Sequence, residues 1–127
     1  MVKKKLSAAE WEIMNFIWKQ NKEVTVREVV DGLYPNGEKA YTTVQTIMNN
    51  LTGKGVLSVK KMGPVNQYFP NSDEHSARKK ELQTMIQKVF KGSPVALFQS
   101  LLSSTNLSEE QIDEIKSILE GKRKGKQ

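Results

Sequence analysis

Thr42-Thr43-Val44-Gln45-Thr46-Ile47-Met48-Asn49-Asn50-Leu51, followed by Lys54-Gly55 and then Leu57-Ser58-Val59-Lys60-Lys61, is the stretch in which the hydrophobic period changes. Val44, Ile47, Met48 and Leu51 recur at helical spacing, so a helix is expected from Thr42 to about Lys54, closed by Gly53 and Gly55. Its outer face then reads Thr43, Gln45, Thr46, Asn49 and Asn50. From Leu57 the pattern alternates with period two. Gly63-Pro64 marks a turn, and Gln67-Tyr68-Phe69 returns before Pro70. A helix running straight into a β-hairpin is thus the central feature.

Upstream, two helix starts are written out in full. Ser7-Ala8-Ala9-Glu10 is a capping box, with Leu6 and Trp11 as the apolar staple on either side. It opens a helix expected over Ala8–Gln20, with Trp11, Met14, Ile17 and Trp18 on one stripe. Thr25-Val26-Arg27-Glu28 repeats the device, with Val24 and Val29 as staple, for a helix over Val26–Leu33 that ends at Tyr34-Pro35-Asn36-Gly37. Three helices followed by a two-stranded hairpin is the order of a winged helix-turn-helix, with the third helix as the element that enters a DNA groove.

Downstream, Ser72-Asp73 opens a polar helix to about Phe90, and Ser93-Pro94 starts a short apolar one carrying Val95, Leu97, Phe98, Leu101 and Leu102. A third capping box, Ser108-Glu109-Glu110-Gln111, begins a last helix to Glu120 with Ile112, Ile115, Ile118 and Leu119. The fold class expected is mainly α with a small β-hairpin. A winged-helix DNA-binding domain spans 1–71, a helical dimerisation region spans 72–121, and a disordered basic tail occupies 122–127. The apolar residues of the last two helices are too many for so small a segment to bury alone. A second copy is the expected cover, giving an isologous dimer.

The 127 residues carry a net charge of +6. Residues 1–72 hold ten Lys/Arg against six Asp/Glu; Lys122, Arg123, Lys124 and Lys126 supply the basic excess of the rest, and 73–121 is slightly acidic, with six against eight. A basic first half suits a nucleic-acid reader. There is no cysteine and one histidine, His75, which removes thiol chemistry and cysteine-based metal sites. No Gly-rich phosphate loop or nucleophile elbow is present, and no cofactor or metal is expected. Glu109 and Glu110 suit a helix N-terminus and are no catalytic pair. No apolar run is long enough to cross a membrane. The reading is a cytoplasmic binding protein and not an enzyme. Trp11, Phe16 and Trp18, with Met14, Met48 and Met85, are assigned to the core.

Double-stranded DNA is the expected partner. Gln45 is suited to adenine N6 and N7, and the methyls of Thr43 and Thr46 to thymine; with Thr42, at the helix start where it could also hold a phosphate, these are the base-reading candidates. Thr25, Arg27, Asn49, Lys54, Lys60, Lys61, Asn66 and Gln67 are the candidates for phosphate contact, several of them on the wing. A dimer would meet half-sites roughly 34–36 Å apart, or a multiple of that, in a pseudo-palindrome. Two alternatives stay open at this point: a winged-helix adaptor that docks a protein, and a small-molecule-sensing winged-helix regulator.

The run Leu6–Met14, the run Thr42–Leu51, Lys54-Gly55 and Tyr68-Phe69-Pro70 together resemble the penicillinase-repressor family of the BlaI/MecI type, including its CopY branch. The resemblance implies a homodimeric winged-helix repressor of antibiotic-resistance-type genes, with Thr42, Thr43, Gln45 and Thr46 at the DNA-reading positions. It also implies a membrane sensor-protease pathway that inactivates the repressor by cleavage. Two departures stand out: Asn50 occupies a position where a basic residue is common, and Ser100-Leu101 falls where the family has its Asn-Phe cleavage site. The cysteine motif of the copper-responsive branch is absent.

Overall fold

A computed structural model describes residues 5–125. Its elements follow in the order α1 (Ala8–Gln20), α2 (Val26–Leu33), α3 (Tyr41–Gly53), β1 (Leu57–Met62), β2 (Val65–Pro70), α4 (Glu74–Lys88), α5 (Pro94–Ser104) and α6 (Glu109–Gly125). They group into two compact units that divide within α4, between Glu81 and Leu82.

In the first unit the two expected capping boxes set the helices. Ser7 Oγ accepts from the Glu10 amide at 3.2 Å, and Glu10 Oε1 accepts from the Ser7 amide at 2.8 Å. Thr25 and Glu28 form the same reciprocal pair at 3.1 and 2.9 Å. α3 ends as the glycines require. Gly55 takes φ 81°, the Val56 amide donates to the Leu51 carbonyl, and the Gly55 amide donates to Thr52. That is a Schellman closure, which turns the chain directly into β1.

The core joins Ile13, Met14 and Ile17 of α1 to Val26, Val29 and Val30 of α2, Val44, Met48 and Leu51 of α3, and Leu57 and Tyr68 of the hairpin. Trp11, Phe16 and Trp18 pack against its edge, and the Trp18 indole N–H donates to the Ser72 carbonyl at 2.9 Å. β1 and β2 pair antiparallel with Val59 opposite Tyr68, Lys60 opposite Gln67 and Lys61 opposite Asn66. Gly63, with φ 65°, occupies the first position of the two-residue turn. The free edge of β2 is partly covered, because Val24 exchanges both backbone hydrogen bonds with Tyr68, at 2.9 and 2.7 Å.

The second unit holds the end of α4 with α5 and α6. Ser93 caps α5 through the Ala96 amide, with Pro94 at the first helical position. Ser108 and Gln111 form the third reciprocal box, at 3.0 and 3.1 Å. Among the described residues, none of α4, α5 or α6 is buried.

Two expectations are corrected here, and the end of α4 is refined. α6 does not stop at Glu120: residues 122–125, expected in a disordered tail, continue the helix, and the remainder of that tail lies outside the described residues. Lys122, Arg123 and Lys124 are good helix formers, and their charges oppose the negative end of the helix dipole. α4 runs to Lys88, and the Val89 and Phe90 amides still donate to the Met85 and Ile86 carbonyls, so its helical bonding closes near Phe90 as expected, where Lys91 and Gly92 turn to positive φ. Met85, assigned to the core, is exposed.

Candidate nucleic-acid interface

α3 buries Val44, Met48 and Leu51 and leaves Thr42, Thr43, Thr46, Asn49 and Asn50 exposed, with Gln45 half-buried on the flank. No residue of α3 is charged. Its outward surface is therefore a row of hydroxyls and amides, which matches the mixed donor and acceptor edges of base pairs. Its N-terminus follows Ala40, a residue without a capping side chain, so the first-turn amides have no side-chain acceptor. Arg27 lies beside this end, with its guanidinium carbon 4.9 Å from the centroid of the Tyr41 ring. Asp31, one helical turn along α2, sits 3.6 Å from the same guanidinium. Arg27 is thus aimed but still exposed, as a phosphate contact needs.

Strand register divides the wing candidates between two faces. Opposed residues of an antiparallel pair share a face, and faces alternate along each strand. Lys61 and Asn66 lie on the same face as Val59 and Tyr68. This face turns towards α3, because the Tyr68 hydroxyl donates to Asn49 Oδ1 at 2.9 Å. Lys60 and Gln67 lie on the opposite face, where Lys60 Nζ meets Glu23 Oε2 at 2.9 Å. Of the four wing residues proposed from sequence, Lys61 and Asn66 therefore share the α3 side. Salt titration checks the division. Lys61→Ala should reduce the slope of log affinity against log salt by about 0.9, as one phosphate contact does, and Lys60→Ala should reduce it by less.

Two candidates have other tasks. Lys54, expected at a phosphate, donates instead to Glu10 Oε1 at 2.6 Å and to the Lys5 carbonyl at 2.8 Å. Glu10 is the one buried charged residue among those described, so this ion pair ties the end of α3 to the start of α1. Burial tends to raise the Glu10 carboxyl, but the Lys54 ammonium and the Ser7 amide outweigh it and hold Glu10 below its ordinary value. Thr25 uses its hydroxyl oxygen to cap α2. Sequence reading missed the Lys54–Glu10 pair because its members lie 44 residues apart. It missed the Tyr68–Asn49 link for the same reason.

Among the described residues no cluster of His, Asp and Glu is arranged to hold a metal, and no helix is long and apolar enough to cross a membrane. Three helices and a hairpin, with an uncharged amide and hydroxyl face on α3 beside a basic wing edge, have the architecture of winged-helix regulators.

Within that class the assignment is specific. The penicillinase repressor family model matches residues 6–121, and the chain belongs to that family, whose members are transcriptional repressors and not enzymes. The penicillinase repressor of Bacillus licheniformis is 31% identical over 115 residues, covering 91% of this chain and 89% of that one. The methicillin resistance regulatory protein MecI of Staphylococcus aureus strain N315 is 29% identical over 117 residues, covering 92% and 94% respectively. The solution structure of the DNA-binding domain of the repressor BlaI matches with TM-score 0.51 and 37% identity, over 58% of this chain and 90% of that domain.

Proposed function

We propose that this protein is a homodimeric transcriptional repressor that occupies a pseudo-palindromic operator, with α3 in the major groove of each half-site. The observation that carries the reading is the charge-free face of α3, with Thr42, Thr43 and Thr46 exposed and Gln45 half-buried on their flank, beside Arg27 and the Lys61–Asn66 edge of the wing. A helix facing only water gains from Glu and Lys, which favour helix and solubility; this face has neither. The names of the relatives, penicillinase repressor and methicillin resistance regulatory protein, support operators of antibiotic-resistance-type genes.

The dimer rests on α5 and α6. Val95, Phe98, Leu101 and Leu102 form one apolar stripe at helical spacing, and Ile112, Ile118 and Leu119 another; all seven are exposed. Leu97 and Ile115 are half-buried beside them. Repression is steric: the dimer bridges two half-sites and covers promoter DNA, and any event that separates the protomers releases it.

Gln45→Ala tests base reading. Discrimination between operator and random DNA should fall by about 1–3 kcal/mol, while binding to random DNA stays nearly unchanged. An equal loss on both DNAs would remove Gln45 from the reading set.

A further inference from the structure

We infer that Tyr68 is a positioning residue for DNA binding, holding Asn49 as a donor to a backbone phosphate and keeping it from reading a base. The inference rests on the repressor reading above and deepens it.

Tyr68 is fully buried, while Asn49 is exposed on the outward side of α3. Their side chains meet across the junction of wing and recognition helix, where the Tyr68 hydroxyl donates to Asn49 Oδ1 at 2.9 Å. Tyr68 has little freedom to follow a ligand. Its ring lies in the core, and its backbone amide and carbonyl are both bonded to Val24. The amide oxygen of Asn49 is therefore turned towards the protein, which leaves Nδ2 as the group facing away.

That orientation has a chemical consequence. Asparagine reads adenine by presenting both ends of its amide to one base edge, the oxygen to N6–H and the nitrogen to N7. With the oxygen turned inward, the two ends of Asn49 no longer face the same way. What remains outward is a neutral N–H donor, and the partner it fits is an acceptor such as a phosphate oxygen. The exposed Lys61–Asn66 pair lies on the same face of the hairpin as Tyr68 and suits the same backbone. Together they form a phosphate-gripping edge beside the base-reading residues.

The test measures Kd on operator and on random duplex for the full-length protein and for Asn49→Ala, Tyr68→Phe and the double variant. Asn49→Ala should weaken both duplexes alike, by about 2- to 12-fold, as loss of one neutral hydrogen bond does. Its salt slope should stay unchanged, because no charge is lost. Tyr68→Phe should weaken both DNAs by no more than Asn49→Ala does, and should add nothing in the Asn49→Ala background. Asn49→Asp keeps the acceptor for Tyr68 but faces phosphate with a negative charge, so it should bind worse than Asn49→Ala. A loss from Asn49→Ala confined to operator would overturn the inference, because Asn49 would then be reading a base. An undiminished effect of Tyr68→Phe in the Asn49→Ala background would also overturn it, because Tyr68 would then act through packing alone. If the unaltered protein fails to prefer operator over random DNA, the repressor reading itself fails, an outcome distinct from either of these.

Discussion

Leu101→Glu is expected to convert the protein to a 14.4 kDa monomer and to weaken operator binding on the order of 10²- to 10⁴-fold. Leu101 is 41% exposed, on a stripe with Phe98 and Leu102 that nothing in its own unit buries. Covering the part of Leu101 still exposed is worth about 1 kcal/mol per protomer, and a glutamate there must give up its hydration as well. In the proposed isologous interface each substitution would enter twice. The larger loss comes from the DNA side, since a monomer grips one half-site and forfeits the effective concentration that a tethered second reader provides. Analytical ultracentrifugation reports the mass, and anisotropy on the full operator reports the affinity. Random-DNA binding by the monomer should change far less, because the winged unit is untouched. If Leu101→Glu and Leu102→Glu both remained dimeric with full operator affinity, the proposed interface would be wrong.

Glu10→Ala is the second large effect, and it acts on folding. The carboxylate is nearly buried, pairs with Lys54 at 2.6 Å and completes the capping box of α1. Removing it strands the Lys54 ammonium, which is still 27% exposed, and frees the Ser7 amide. The full cost of breaking a buried pair is therefore reduced by water at Lys54, to about 2–3 kcal/mol including the lost cap. For a unit of this size the melting temperature should fall by roughly 10–20 °C.

The same pair sets an acid limit. The folded Glu10 carboxyl lies below its ordinary value of 4.5, so its stabilisation is complete above that pH and is lost as pH falls through the folded value. Glu10→Gln should flatten this part of the stability profile. Lys54→Ala should destabilise the fold while leaving the salt slope of DNA binding unchanged. A drop in slope of nearly one unit without destabilisation would return Lys54 to the phosphate contacts.

What could be read in advance followed from local chemistry. Three reciprocal capping boxes fixed the starts of α1, α2 and α6, since a box needs only residues three apart. The change of period at Leu57 located the hairpin for the same reason. The family motifs then led from elements to a class. The legible part of the site was the outer face of α3, which follows from helical spacing alone.

What could not be read depended on contacts between distant segments. Lys54 looks like any distal cation until Glu10 is placed beside it. The wing lysines look equivalent until register puts Lys61 on the side of Tyr68 and Lys60 on the side of Glu23. Asn49 is a phosphate candidate from sequence, but which end of its amide faces outward is not readable until the buried hydroxyl of Tyr68 is placed against its oxygen. The end of α6 was misjudged because Gly121 and a run of like charges suggest disorder, whereas cations at a helix C-terminus prolong it.

The central claim is that two copies of this chain read one palindromic operator through α3. Fluorescence anisotropy on the DNA upstream of its own gene, at near-physiological salt and with excess random competitor, tests it most directly. The expected result is tight, competitor-resistant binding that saturates at two protomers per site. Weak binding that competitor abolishes would contradict the claim at that operator, and saturation at one protomer per site would contradict the dimer.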